Sequence, residues 1–226
     1  MSLSKFTCDS ILKKLRSMSN PENVKGMERY GISTKNTLGI SIPILRDMAK
    51  SIGKNHDLAQ QLWKTDVHEA RLLAAFIDEP AKVSEAQMEL WVFDFDSWDI
   101  CDQTCSNLFD KTPYAYKKAV EWSTREKEFV KRAGFVLMAS LAVHDKKASD
   151  EKLAQFLPVI KREASDERNF VKKAVNWALR QIGKRNVVLQ KEALKTALEI
   201  KMLDSKSAKW IANDAIRELE SKPQKH

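Results

Sequence analysis

The sequence has few of the residues that interrupt helices, with only six glycines and six prolines among 226 residues. No stretch alternates apolar and polar residues over the length of a strand, so the pattern excludes a β-sheet fold and predicts an all-helical chain. No apolar run approaches the roughly 20 residues that span a bilayer as a helix, so we expect no membrane partner.

Cysteine and histidine are also scarce and scattered. An odd count of three cysteines (Cys8, Cys101 and Cys105) without a C-x-x-C pair argues against a disulfide framework and favours a reducing, cytoplasmic location. We interpret Cys101 and Cys105, one helical turn apart, as small buried residues. The four histidines lack metal-ligand spacing, so we predict no metal site.

Positive charge is what the sequence has in excess. The formal net charge is +8, and it is spread along the chain rather than held in a tail, apart from the short end Ser221–His226. Such a balance suits a polyanion, either nucleic acid or an anionic membrane, bound on a globular surface.

Short loops and capping signals divide the chain into paired helices. They predict a second helix that begins at about residue 21, and further helices at about 7–18, 41–53, 56–64, 67–77, 84–92, 98–109, 112–122, 125–143, 149–161, 169–184, 187–201 and 207–219. Asp96 and Ser97 are predicted to cap the helix that begins at Trp98. We expect one domain over 1–226, with a short polar tail from about 221.

An internal echo indicates a repeat. Residues 128–133, Glu-Phe-Val-Lys-Arg-Ala, resemble residues 169–174, Asn-Phe-Val-Lys-Lys-Ala, at an offset of 41 positions. Two helices per roughly 40 residues is the period of HEAT and armadillo repeats. The echo therefore predicts a right-handed α-α superhelix, a solenoid whose concave face is lined by cations from successive repeats, Arg132 and Lys173 among them.

Residues 169–184 carry an unusual helical face. At helical spacing one side of this helix is a full apolar stripe of Val171, Ala174, Val175, Ala178, Leu179 and Ile182. The opposite side holds Lys173, Trp177, Arg180 and Lys184, so a large aromatic points away from the core among cations. Packing between repeats is the alternative reading of Trp177, and a solvated charged face is the alternative for the cations.

Residues 93–102 place four aspartates in a basic chain. Trp98 and Asp102 are four positions apart and share a helical face, while Asp102 has no local structural task. A carboxylate on a surface made for phosphates suits a positive charge, such as that of an N3- or N7-alkylated purine and of the oxocarbenium-like sugar formed when its glycosidic bond breaks. A tryptophan beside it would attract cations and stack on nucleotides. An ion pair of Asp102 with Arg132 or Lys131 is compatible with this role.

Taken together, these motifs resemble the AlkD-type DNA alkylation repair glycosylases, which are built from HEAT-like repeats. The resemblance covers nearly the whole chain to about Ile216 and is carried by Arg29-Tyr30, residues 38–43 with Arg46, residues 97–102, residues 130–133 and residues 173–180. Ser97 stands where the family pattern has a second tryptophan before the matched Trp98, which we interpret as a change of helix cap. The Gly39 turn also keeps few polar side chains for DNA.

The resemblance implies a catalytic role for Asp102, with Trp98 and Trp177 flanking the sugar and backbone of the lesion. It implies that Arg132 contacts the DNA backbone and that Tyr30 is an aromatic of the same cleft. The further basic residues predicted to contact DNA are Arg46, Lys131, Lys172, Lys173, Arg180 and Lys184. It also implies excision of cationic alkylpurines from double-stranded DNA without a base-binding pocket, a cofactor or an obligate protein partner.

Three functions remain open at this stage. The first is the glycosylase, cytoplasmic and associated with the nucleoid when bound to DNA. The second is a HEAT-repeat module that binds distorted or branched DNA without catalysis, and the third is a HEAT scaffold for another protein. Asp102 favours the first, because a pure DNA binder gains nothing from a carboxylate at that position.

Overall fold

The computed structural model describes residues 6–221, and these are helical throughout, without a strand. Residues 222–226 of the predicted polar tail lie outside the described residues. The helices are α1 (Cys8–Ser17), α2 (Pro21–Glu28), α3 (Ile42–Ile52), α4 (His56–Trp63), α5 (His68–Ile77), α6 (Glu85–Phe93), α7 (Trp98–Asn107), α8 (Ala115–Ser123), α9 (Glu128–His144), α10 (Asp150–Ala154), α11 (Leu157–Glu163), α12 (Asn169–Gly183), α13 (Val187–Lys201) and α14 (Lys206–Ser221), with short 3-10 turns at Pro80–Lys82 and Phe109–Lys111.

These bounds confirm the predicted helices with one exception. The single helix predicted over 149–161 is wrong, because the segment forms two short helices, α10 and α11. Pro158 lies in the first turn of α11, where its missing N–H is tolerated, but it cannot continue a helix from α10.

The chain divides into two compact units, Met1–Thr112 and Pro113–His226, so the first unit contains α1–α7 and the second α8–α14. In the first unit α5 is the central helix and packs against α3, α4 and α7. It is apolar on nearly all sides, and its buried residues include Leu72, Leu73 and Ile77. Beside it the rings of Trp63 and Trp91 stack at 3.9 Å.

In the second unit α9 and α12 form the centre, with α8 against α9 and with α13 and α14 against α12. The two central helices begin at Glu128 and Asn169, the same 41-position offset as the sequence echo. The rings of Phe129 and Phe170, equivalent in the echo, lie 5.5 Å apart. The echo therefore corresponds to two equivalent helices that pack together, as the repeat predicted.

No helix within residues 6–221 has the length and apolar character needed to cross a membrane.

Candidate functional site

Helix α7 carries Trp98 and Asp102, the two residues predicted to lie on one face. Trp98 is the first residue of the helix, Asp102 follows one turn later, and both are partly buried. Ser97 is the N-cap, but its hydroxyl makes no cap bond and donates instead to Oδ1 of Asp99 at 2.8 Å. The predicted position of the N-cap is thus confirmed, but the cap hydrogen bond is absent because the Ser97 hydroxyl is bonded to Asp99.

A buried pair between His68 and Asp99 fixes the N-terminus of α7 to the N-terminus of α5. Nε2 of His68 and Oδ2 of Asp99 lie 2.8 Å apart, and both side chains are almost fully buried. Burial alone would lower the pKa of His68, but the hydrogen bond and charge of Asp99 outweigh it and raise that pKa above its usual value. The first turn of α7 is therefore held from its buried side by an ion pair.

The next residue of α5, Glu69, holds the loop of residues 38–40. It is fully buried, and its carboxylate accepts the backbone N–H groups of Leu38 (2.9 Å), Gly39 (2.7 Å) and Ile40 (3.2 Å). Gly39 has a φ of +78°, and a Cβ there would lie 2.2 Å from the carbonyl oxygen of Asn20. Glycine is thus required for both the conformation and the close approach.

These two anchors shape one cleft, which we call the Tyr30–Trp98 cleft. It has a volume of about 350 Å³ and is lined by Glu22, Asn23, Gly26, Met27, Tyr30, Ile32, Gly39, Ile40, Ser41 and Trp98. Nε1 of Trp98 donates to the carbonyl oxygen of Tyr30 at 3.0 Å, and the Tyr30 side chain is 74% exposed. The structure therefore brings together two of the three predicted aromatics, with Tyr30 in the cleft rather than in the core.

Arg46, on α3, is exposed and reaches the residue that follows Asp102. Its Nη2 donates to Oε1 of Gln103 at 3.1 Å, and its guanidinium lies 5.1 Å from the ring centre of Phe76. Cys101 and Cys105, on the other side of α7, are fully buried, and burial raises the pKa of the Cys105 thiol well above its usual value. Their interpretation as packing residues is confirmed.

In the second unit, α12 has the predicted apolar stripe, and all six of its residues are fully buried. Trp177 lies away from the stripe and is partly buried. When the amide of Gln181 is oriented with its oxygen toward Trp177, this oxygen accepts from Nε1 of Trp177 at 2.9 Å and from Nζ of Lys184 at 3.2 Å. The indole is thus held by its own helix, one turn along.

The cations that follow Trp177 are bound by carboxylates of α14. Arg180 pairs with Glu218 and lies 3.6 Å from Asp214, while Lys184 pairs with Glu218 at 2.9 Å. Partial burial would raise the pKa of Glu218, but the bond from Lys184 and the charge of Arg180 lower it. These two cations were predicted to contact DNA from a basic face, whereas in the structure they join α12 to α14 through Glu218.

Two cations of α9 are also engaged inside the protein. Arg132 is only 6% exposed, and its Nη1 donates to the carbonyl oxygen of Phe170 on α12 at 2.6 Å. Nζ of Lys131 lies 2.8 Å from Glu163 and 3.2 Å from Asp166. The expectation that Arg132 projects from the side opposite an apolar stripe is wrong, because α9 is the central helix and is buried on nearly all sides.

Two lysines at the start of α12 are the more available of the cations that were predicted to contact DNA in this unit. Lys173 is exposed, and Nζ of Lys172 lies 5.3 Å from the ring centre of Trp210, which is itself 42% exposed. The residues predicted for DNA contact thus separate into exposed groups (Tyr30, Arg46, Lys173), a partly buried group (Lys172), and groups bonded within the protein (Lys131, Arg132, Arg180, Lys184).

Sequence reasoning missed the role of His68 and Glu69, which hold the two walls of the Tyr30–Trp98 cleft. A signal was available in the sequence. Helix α5 is apolar except at its N-terminus, and polar side chains that are buried at the N-terminus of such a helix must find hydrogen-bond partners. Among residues 6–221, no three His, Cys, Asp or Glu side chains are arranged to hold a metal ion.

Comparison with known proteins places this arrangement in a family. One solved structure, of "a new family of proteins related to the HEAT-like repeat DNA glycosylases with affinity for branched DNA structures", is similar with a TM-score of 0.78 and 19% identity, over 98% of this chain and 99% of that chain. This likeness confirms the predicted fold class. An engineered protein is similar with a TM-score of 0.43 and 14% identity over 93% and 99% of the two chains, which is too low to carry an argument.

The comparison with curated proteins found no match. The model of a protein family described as "DNA alkylation repair enzyme" matches residues 11–219, from α1 to α14, and so includes every predicted site residue. The chain therefore belongs to the DNA alkylation repair enzyme family.

Proposed function

We propose that this protein is a DNA glycosylase that hydrolyses the N-glycosidic bond of positively charged N3- and N7-alkylpurines in duplex DNA. The observation that carries the proposal is the position of Asp102 one turn after Trp98 on α7, a helix fixed at its N-terminus by the His68–Asp99 pair. Membership of the DNA alkylation repair enzyme family supports it.

The chemistry needs a negative charge near the sugar. As the bond to a cationic purine breaks, positive charge moves onto the deoxyribose, and a carboxylate held in a low-dielectric site stabilises that charge or orients the attacking water. Asp102 is partly buried and is thus shielded from bulk solvent, while Trp98 beside it offers an aromatic face to a cation or a sugar. The leaving purine is already cationic, so it departs without protonation by an acid.

Binding of DNA in this proposal relies on fewer cations than the sequence predicted. Because Lys131, Arg180 and Lys184 are paired with carboxylates, the backbone contacts left among the predicted cations are Arg46 in the first unit and, in the second, Lys173 with Lys172, whose ammonium lies 5.3 Å from the Trp210 ring centre. Tyr30 adds an exposed ring at the mouth of the Tyr30–Trp98 cleft that can stack on a base or sugar. The resulting affinity is modest, since each phosphate contact contributes separately to counterion release.

The test is release of 7-methylguanine from methylated duplex DNA, measured by chromatography. We expect release by the native protein, a loss of at least 100-fold for Asp102→Asn, in line with the loss of a transition-state charge, and a smaller loss for Trp177→Ala. Asp57→Asn, which removes an exposed carboxylate of α4, is the matched control and should retain activity. Release that is undiminished in Asp102→Asn would refute the mechanism.

A second function is supported by the similar structure, whose family is described as having affinity for branched DNA structures. In that case the protein would bind a four-way junction more tightly than a duplex of the same length. It would release no base from methylated DNA, and Asp102→Asn would leave junction affinity unchanged. The two assays together separate a glycosylase from a binding protein.

A further inference from the structure

A pocket of about 390 Å³ in the first unit has walls that carry only positive charge. It lies between the end of α3, the end of α5 and the end of α7, and its lining includes Arg46, Lys50, Lys54 and Lys111, with no carboxylate among the lining residues. The ring of Phe76 forms an apolar wall under the Arg46 guanidinium. Four cations around one concave site suit an anion, because each reduces the energy of a negative charge placed between them.

The ammonium groups are positioned with hydrogen-bond donors to spare. Nζ of Lys54 donates to the carbonyl oxygens of Phe76 (2.9 Å) and Asp78 (2.7 Å), and Nζ of Lys111 donates to that of Asn107 (2.7 Å). An ammonium has three donors. Within residues 6–221, one donor of Lys54 and two of Lys111 therefore have no protein acceptor, while both side chains are fixed at the pocket wall.

The nearest carboxylates do not neutralise these lysines. Asp78 accepts from His56, from the backbone of Glu79 and from Gln87, each at 2.7 Å, and Glu79 pairs with Lys82 at 3.0 Å. Partial desolvation and the positive charge of Lys111 lower the pKa of Lys54, whereas the nearby acids oppose that shift without cancelling it. Of the four lining cations, Lys50 is paired with Asp47 at 2.9 Å, so the positive potential that the protein leaves uncompensated comes from Arg46, Lys54 and Lys111.

We propose that this pocket binds one phosphate group of the DNA backbone, held by Lys54 and Lys111, with Arg46 at its edge. The inference rests on the proposed function only in taking DNA as the substrate. A phosphate oxygen accepts from several donors at once, which matches the free donors of the two lysines. Arg46 connects the pocket to the candidate catalytic helix, since it also donates to Gln103, next to Asp102.

The geometry of α7 favours the DNA backbone over a free anion. Asn107 lines the pocket five residues after Asp102, which is about 7.5 Å along the helix axis. That length is close to the axial rise of two base pairs at about 3.4 Å each. Five residues also turn the helix by about 140°, so the pocket and Asp102 are linked through Arg46, which lines the pocket and donates to Gln103, the residue after Asp102.

The test uses the full chain and the double variant Lys54→Gln/Lys111→Gln, which removes two charges while leaving amide donors for the carbonyl groups. Lys13→Gln/Lys64→Gln, two exposed lysines of the same unit that do not line the pocket, is the control with the same change in net charge. Lys111→Gln alone serves if the double variant fails to fold, because Lys111 is exposed.

The first measurement is a titration with inorganic phosphate at constant ionic strength, followed by the backbone amide NMR signals of Gly53, Lys54 and Lys111. We expect saturable shifts in the native protein and in the control, and none in the pocket variant. Equal shifts in all three proteins, or no shifts in the native protein, overturn the pocket as an anion site.

The second measurement is the salt dependence of binding to an undamaged duplex. Loss of one phosphate contact reduces the slope of log Kobs against log salt by about 0.9, so we expect that reduction in the pocket variant and not in the control. Phosphate binding with an unchanged DNA slope would overturn the assignment to the DNA backbone. Because no base is released from this duplex, the result does not depend on glycosylase activity.

Discussion

Replacing Glu69 by glutamine tests how strongly one buried carboxylate holds the wall of the Tyr30–Trp98 cleft. Oε1 accepts from the N–H groups of Leu38, Gly39 and Ile40, and Oε2 accepts a second time from Leu38 at 2.9 Å. Glutamine keeps one acceptor oxygen but places an NH₂ group where Oε2 was. This NH₂ group would then face the backbone N–H of Leu38, so two hydrogen-bond donors would point at each other.

The magnitude follows from the bonds that change. A hydrogen bond to a charged group contributes about 1 kcal/mol more than a neutral one, and a donor left without an acceptor costs about 1–3 kcal/mol. Two bonds weakened at Gly39 and Ile40 and one disrupted at Leu38 give a loss of about 3–5 kcal/mol in the free energy of unfolding. Base release should fall as well, since the loop of residues 38–40 lines the cleft.

The assay is urea unfolding followed by far-UV circular dichroism, with Glu192→Gln as the matched control. Glu192 is exposed on α13, so its substitution should change the unfolding free energy by less than about 0.5 kcal/mol. A loss below about 1 kcal/mol for Glu69→Gln would refute the reasoning, because it would mean that the carboxylate charge adds little to the three backbone bonds.

Three further predictions concern the two units separately. The pKa of His68 is raised above its usual value of 6.5, so above that pH the folded state binds more protons than the unfolded state, and the stability of the first unit falls as pH rises through the folded-state pKa. Asp99→Asn should remove this slope in unfolding measured at a series of pH values upward from about pH 6. Partial burial would raise the pKa of Asp166, but hydrogen bonds from Arg168 and Lys131 lower it to about 2. The stability that this carboxylate contributes is therefore present above its unfolded-state pKa of 3.8 and is lost as pH falls toward 2. Asp166→Asn should flatten the dependence of the unfolding free energy on pH between these two values. Gly134→Ala should destabilise the second unit by about 1–3 kcal/mol, because its Cβ would meet the backbone of α8 at 2.6 Å, and an unchanged unfolding midpoint would contradict this close approach.

The proposed function depends on α7 more than on any basic surface. Trp98 and Asp102 keep their relative position because they share one helix, and His68 and Asp99 fix that helix to α5. Their placement does not depend on the long side chains of the second unit. This is the reason that Asp102→Asn, rather than any lysine or arginine variant, is the decisive substitution for catalysis.

The sequence by itself determined most of the helical elements and the buried face of α12. The apolar stripe of α12 could be predicted in full because its spacing is a property of one helix, and the 41-position echo located the equivalent starts of α9 and α12 for the same reason. The shared face of Trp98 and Asp102 likewise needed only the helical period.

Only the tertiary structure decided what the charged and polar side chains do. Arg180 meets a carboxylate 38 positions away on α14, Arg132 meets a backbone carbonyl 38 positions away on α12, and His68 and Glu69 find partners about 30 positions away. A helical wheel shows which side of a helix is polar, but whether a cation there meets water, a carboxylate or DNA depends on which helix packs beside it. Burial of an apolar stripe is set within one element, whereas pairing of a charge is set between elements.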